Sequence, residues 1–315
     1  MPVFDSVADL IGDTPIVDVS TLSPKPSVRI LAKLEGQNPG GSVKDRAAKW
    51  MLDEAEKNGS IKPGQTILES SSGNTGIALA MLAKMRGYPF KVVLPENVSE
   101  ERKQLLALWG AEIISSPASE GSNGAMRRAQ AMADAHPELF YTYQYANPAN
   151  PTAHYESTGP EIWRDVPEIT HFVAGLGTAG TIIGVGRFLK ERNPAIEVWA
   201  IEPPVGEMVD GLKNFDEGFV PPVFVDGGGE DLLSMKMIVR PRESIEWVRR
   251  LTEVGVFAGI SAGAAMAGAY KCADRIDEGT VVFLVPDAGW KYLSTGAWTD
   301  DIDVVEERAK KTIYF

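Results

Sequence analysis

The feature that most constrains this chain is a recurring unit: a short apolar run, a turn rich in glycine and serine, then a segment of helical pattern. VRILAKLE (28–35) leads through a Gly-rich turn into DRAAKWMLDEAEKNG, and TILE (66–69) leads through SSSGNTG into IALAMLAKM. KVVLP, EIIS, HFVAG, EVWAIEP and VVFLVP are further short strand candidates, with helix-like segments between most of them. Alternation of this kind predicts an α/β protein with mainly parallel sheets. Near-continuous apolar runs suit strands covered on both faces. A length of 315 residues exceeds what one hydrophobic core usually serves, so two domains or one large α/β unit are expected. The turn-rich NPANP (147–151) is where a boundary is expected. The clearest helix spans 74–85, where Ile77, Leu79, Ala80, Met81 and Leu82 give a mostly apolar surface. Pro203-Pro204 and Pro221-Pro222 predict loops over a surface.

Several function classes are excluded early. A single cysteine, Cys272, leaves no intrachain disulfide framework and no multi-cysteine zinc site, and a reducing cytosol fits best. No stretch approaches the roughly 20 apolar residues of a membrane span. The start, MPVFDSVADLIGDTP, carries acids and no basic region, so it does not read as a signal peptide. The net charge of −12 and pI near 4.9 argue against a nucleic-acid partner, since such proteins concentrate basic charge. A small anionic substrate is still allowed, because it responds to local groups in a cleft.

Four segments carry chemistry. Lys44, in QNPGGSVKDRAAKW, falls where a helix is expected to begin, and a cation there opposes the macrodipole at roughly 0.3–1 kcal/mol. It is either a solvated side chain or an amine whose pKa is depressed by the helix end and burial, able to form a Schiff base. In Glu69-Ser70-Ser71-Ser72-Gly73-Asn74-Thr75-Gly76, between strand and helix, successive N–H groups and hydroxyls suit a carboxylate. Capping alone would need only one Ser or Asn. Gly175-Leu176-Gly177-Thr178-Ala179-Gly180-Thr181 is a second strand, glycine loop and helix, suited to a phosphate. It lacks the acidic ribose partner of a dinucleotide site and the GK[ST] of a nucleotide P-loop. In GISAGAAMAGA, Ser261 stands at a strand-to-helix turn, where a plain N-cap is the simpler reading. His136, His154 and His171 are scattered without ligand spacing, so they are expected to be structural or surface residues and no metal site is expected.

Together these segments resemble the cysteine synthase and cystathionine β-synthase family, the fold-type II pyridoxal-phosphate (PLP) enzymes, from DLIGDTPIV to PDAGWKYLST. The resemblance implies two parallel-type α/β domains of tryptophan synthase β-like architecture with the cofactor cleft between them. On that reading residues 1–40 with 149–315 form the larger, phosphate-binding domain and 41–148 the smaller, substrate-loop domain. It implies that Lys44 carries PLP as a Schiff base and that Asn74 bonds the cofactor 3′-oxygen. Gly177, Thr178, Ala179, Gly180 and Thr181 would hold the PLP phosphate, and Ser261 would face the pyridine nitrogen. Ser71, Ser72, Gly73, Thr75 and Gln144 would take the substrate carboxylate. A serine opposite the pyridine nitrogen leaves it largely neutral, a weaker electron sink that favours β-elimination. Lys44 would then act as general base, and a nucleophile would add to an α-aminoacrylate.

The segments NFDEGFVPPVF, PENVSEERKQLL, HFVAGLGTAGT and DAGWKYLSTGAW are most similar to B-type cysteine synthases, especially those using O-phospho-L-serine. Those enzymes carry an arginine where this chain has Lys213, which offers a point charge without bidentate geometry. Ser70-Ser71 replaces the family's Pro-Thr and is similar to the 2,3-diaminopropionate-pathway synthases. The implied activity is cysteine formation from O-phosphoserine or O-acetylserine, with sulfide or a protein thiocarboxylate as donor. The alternatives are β-replacement with an amine nucleophile, or a non-catalytic homologue acting as a binding partner. A cytoplasmic homodimer is expected from the family.

Overall fold

The computed structural model describes residues 3–309. Its first strands are β1 (Ile16–Asp18), β2 (Val28–Leu34), β3 (Ile67–Ser70), β4 (Phe90–Pro95) and β5 (Glu112–Ser116). They are followed by β6 (Phe140–Tyr141), β7 (His171–Gly175), β8 (Glu197–Glu202), β9 (Met235–Ile238) and β10 (Gly279–Val285). Two sheets result, with strand orders β1-β2-β10-β7-β8-β9 and β5-β4-β3-β6. Every strand pair is parallel except β1 with β2. The smaller sheet comes wholly from the chain between Ile67 and Tyr141, and the larger from both sides of it.

The apolar runs have the continuous character that two covered faces demand. Val281, Phe283 and Val285 enter one core with Ile30, Val173, Trp199 and Ile201. Their neighbours Val282 and Leu284 enter the opposite core with Leu31, Phe172, Val198 and Ala200. The period-2 pleat therefore distributes one sequence run between two cores. Fully burying a side chain such as Phe283 contributes roughly 1.5–3 kcal/mol. The first core is closed by the alanine-rich helix Ile260–Arg275. Gly263 permits its close approach to the helix Pro241–Glu253, since a Cβ there would lie 1.9 Å from the Ser244 carbonyl oxygen. Asn74–Arg86 buries every residue from Thr75 to Ala83, as a helix apolar on nearly every face over that stretch must.

The strand candidates read from the sequence all appear, while β1, β6 and β9 are additional. These last are two to four residues long, too short for alternation to register. Two proline expectations need correction. Pro203 lies in a loop as expected, but it is buried and lines the main cavity rather than the surface. Pro222 opens the short helix Pro222–Asp226, where the missing N–H costs nothing. No helix among the described residues is long and apolar enough to cross a membrane.

Candidate active site

Backbone bonds to the end of β10 set the position of Lys44. Val43 N–H donates to the Pro286 carbonyl at 2.7 Å, and Ser42 forms an antiparallel bridge with Asp287. The helix Lys44–Lys57 then starts at the lysine itself, so the cation stands at the positive helix end. Burial in the cleft lowers the Lys44 pKa, while the Asp287 charge works in the opposite direction. Asp45, next in the chain, is pushed up to about 6 by burial, against the pull of Lys291 and the Gly40 N–H, with Glu35 adding to the rise and Ser42 opposing it.

Arg46 anchors this helix start through a wholly buried ion network. Its guanidinium meets both Glu35 oxygens, at 2.7 Å from Nε and 2.8 Å from Nη2. It also reaches Glu161 at 2.6 and 2.7 Å, and Lys33 joins the same carboxylate at 2.7 Å. Burial would raise the Glu161 pKa, but Arg46 and Lys33 overcome it and hold the group at about 2.

The serine-rich loop leaves the carboxyl end of β3, where ligands collect in parallel sheets. Ser71 Oγ accepts the N–H of Gly73 at 3.2 Å and of Gly76 at 3.1 Å. Part of its role is therefore to close the start of the helix Asn74–Arg86, leaving other first-turn N–H groups for an anion. Thr75 Oγ1 donates to Gln144 Oε1 at 2.7 Å, which joins the loop to the distant YQYANPAN segment. Glu69 lies beneath, accepting from Thr142 Oγ1 at 2.6 Å and from the N–H groups of Ser70 and Gln144 at 2.8 and 3.2 Å. Burial pushes its carboxyl up to about 7 despite these donors.

The glycine loop leaves β7 and opens the helix Gly180–Arg192. Ala179 takes the left-handed conformation at φ +67°, an uncommon one for a residue with a Cβ. Gly177 and Gly180 are required by proximity: a Cβ would lie 2.6 Å from the Gly211 carbonyl and 2.0 Å from Asn150 Oδ1, respectively. Asn150 Nδ2 holds Thr178 Oγ1 at 3.1 Å and the Gln144 carbonyl at 2.9 Å, so it couples the two loops. Thr181 Oγ1 contacts His154 Nε2 at 3.2 Å. His154 is buried, and burial with the charges of Arg46 and Lys44 keeps it neutral, well below the usual range.

Lys44, Ser71, Ser72, Gly73, Asn74, Thr75 and Gln144 line one cavity of about 430 Å³. Gly177, Thr178, Ala179, Thr181, Lys213 and Ser261 line it too, while Gly180 stands behind the loop. Ser261 is not an N-cap: Gly259 holds that position without a side-chain bond, and Ser261 lies inside the first turn of Ile260–Arg275. Lys213 Nζ lies 5.6 Å from the ring centres of both Tyr145 and Phe219 and 3.4 Å from Asn123 Oδ1. Burial lowers its pKa and Glu217 works against that.

Sequence reading missed Asp210, which also lines the cavity. Burial pushes its carboxyl up to about 7, with Arg102 opposing and Asp287 adding to the rise. Asp287 and Lys291, which bond the side chain of Asn74 behind the cavity wall, were likewise not singled out. Both lie in PDAGWKYLST, but nothing local distinguishes a buried ion there from a surface pair.

The arrangement fits PLP on its own geometry: a desolvated lysine amine, a helix-start cradle kept open by two glycines, and a hydroxyl on the wall. Its volume lies within the range of small-molecule sites. Residues 7–287 match the family model described as pyridoxal-phosphate dependent enzyme. Cysteine synthase B of Salmonella typhimurium is 40% identical over 299 residues, covering 94% of this chain and 97% of that protein. The Escherichia coli cysteine synthase B is 40% identical over 92% of this chain and 95% of its own. An O-ureido-L-serine synthase structure superposes with a TM-score of 0.88 at 38% identity, covering 94% of this chain and 96% of that one. A cysteine synthase from Entamoeba histolytica gives 0.88 at 32% identity, covering 97% and 95%. The chain belongs to the cysteine synthase and cystathionine β-synthase family of pyridoxal-phosphate-dependent enzymes.

Proposed function

We propose that this chain makes L-cysteine by β-replacement on O-phospho-L-serine or O-acetyl-L-serine, with sulfide or a sulfur-carrier thiocarboxylate as donor. The observation that carries this reading is the convergence of Lys44, both anion loops, Ser261 and Lys213 on one cavity. Bound PLP supplies the electron sink for the substrate carbanion. Lys44 would anchor the cofactor, and its neutral nitrogen would take the substrate's α-proton. The N–H groups around Ser72 and Gly73, with Thr75 and Gln144, orient the α-carboxylate. The glycine loop from Gly177 to Thr181 would hold the cofactor phosphate at a helix start. Ser261 would offer the ring a hydroxyl without a fixed charge, and Asn74 would bond the 3′-oxygen. A smaller domain of residues 41–148, a larger one of 1–40 with 149–315, and a cytoplasmic homodimer belong to the same reading.

Lys213 offers its charge to a β-phosphate. Lys213→Ala is expected to lower kcat/KM for O-phosphoserine by about 10–100-fold, the worth of one charged hydrogen bond. O-acetylserine turnover should change less than about threefold. Equal losses on both substrates, measured by steady-state cysteine formation, would refute the phosphate role. Gly180→Ala is expected to push Asn150 off Thr178 and loosen the phosphate cradle. PLP titration of the apoenzyme should show affinity reduced by about tenfold or more, one lost charge-assisted contact; unchanged affinity would remove the loop from that role.

An amine nucleophile is the second reading. It is favoured by Asp210, a carboxyl on the cavity wall suited to accept N–H groups. Competition between sulfide and a primary amine for the same enzyme, with products identified by mass, separates the two.

A further inference from the structure

Asn74 is held at both ends of its side-chain amide. Its Oδ1 accepts from Lys291 Nζ at 2.7 Å, and its Nδ2 donates to Asp287 Oδ2 at 2.7 Å. Lys291 is buried and donates also to the Gly40 carbonyl at 2.8 Å. Asp287 is buried as well; its Oδ2 accepts the Tyr292 hydroxyl, while its Oδ1 has no hydrogen-bond partner among the described residues. Flipping the amide would set its NH₂ against the ammonium and its oxygen against the carboxylate, so one orientation is strongly enforced.

Burying two opposite charges is a weak route to stability, since well-packed apolar residues often serve as well. The pair therefore calls for a functional account. Burial lowers Lys291 to about 8, while Asp287 and Asp45 hold it up and Arg102 pushes it down, so the ammonium form persists at neutral pH. An ammonium on the amide oxygen withdraws electron density and strengthens the opposite N–H as a donor. One of the two Nδ2 hydrogens serves Asp287, and the other is available to the cavity that Asn74 lines with Lys44.

We propose that Lys291 and Asp287 are positioning residues that lock and polarise the Asn74 amide, presenting its second N–H as a charge-strengthened donor to the 3′-oxygen of bound PLP. This deepens the reading proposed above and rests on Asn74 facing that oxygen. The donor stabilises the ionised 3′-oxygen, whose visible absorbance differs from the near-ultraviolet band of the protonated form.

The test compares wild type, Asn74→Ala, Lys291→Met, Lys291→Arg and Asp287→Asn as holoenzymes. The readouts are apparent PLP affinity and the ratio of visible to near-ultraviolet absorbance at neutral pH. Lys291→Met is expected to weaken PLP about tenfold and move absorbance toward the near ultraviolet, the effect of losing charge assistance. Lys291→Arg should retain most of the visible band. If Lys291→Met does not fold, Asp287→Asn carries the same expectation for the absorbance ratio. A Lys291→Met protein with wild-type ratio and affinity, beside an Asn74→Ala protein altered in both, overturns the clamp alone. An Asn74→Ala protein unchanged in both removes the assignment of Asn74 and the clamp with it.

Discussion

Replacing Lys44 with alanine is expected to lower kcat by about 10³-fold or more while leaving PLP bound. A positioned general base contributes typically about 10²–10⁴-fold, and on the proposed reading this residue would also anchor the cofactor. Binding should persist in part, because the proposed phosphate loop leaves β7 and opens a separate helix. Arginine should not rescue, since its guanidinium stays protonated and supplies no neutral nitrogen. Burial already lowers the Lys44 pKa against the opposing charge of Asp287. Asp287→Asn would remove that opposition, so the acidic limb of the rate, where Lys44 becomes protonated, should lie at higher pH in wild type than in the variant. Single-turnover kinetics with O-acetylserine give the measurement. A residual kcat within tenfold of wild type would assign proton transfer elsewhere.

The second large effect is on stability. Arg46→Ala is expected to cost about 3–5 kcal/mol in chemical denaturation, the toll of leaving buried charges without their partner. Glu35 and Glu161 share that guanidinium, and both are buried. Lys33 would still face Glu161 at 2.7 Å, whereas Glu35 would keep only its hydrogen bonds from Thr14 and Asn38. The sign with pH follows from Glu161, whose carboxyl is held at about 2 against an ordinary 4.5. A depressed carboxylate stabilises above its unfolded pKa and loses that contribution as pH falls through the folded one. Wild-type stability should therefore decline between about pH 4.5 and 2, and Arg46→Ala should flatten this decline. A loss under about 1 kcal/mol would show that the network is solvated, as exposed ion pairs are.

Much of the site was legible because local chemistry suffices for it. An anion cradle needs a strand, a glycine-rich turn and a helix start, all contiguous, so 70–76 and 175–181 could be proposed as cradles from sequence alone. Lys44 was legible as a cation at a helix start, and its role followed from the motifs around it. Ser261 was assigned by resemblance, while its local reading as a cap failed because Gly259 takes that position. Asp210, Asp287 and Lys291 were not legible. Charged residues are usually solvated, and their importance here depends on being buried.

What the sequence by itself determined was the α/β pattern, the parallel strands and the two loops, since each depends on side-chain period and turn chemistry over neighbouring residues. Only the tertiary structure decided which distant groups meet. It set Asn74 between Lys291 and Asp287, joined Arg46 to Glu161, and brought Lys213 and Asp210 to the cavity of Lys44. The physical reason is desolvation: a charge becomes a positioned donor, acceptor or base only when packing from elsewhere in the chain removes its water.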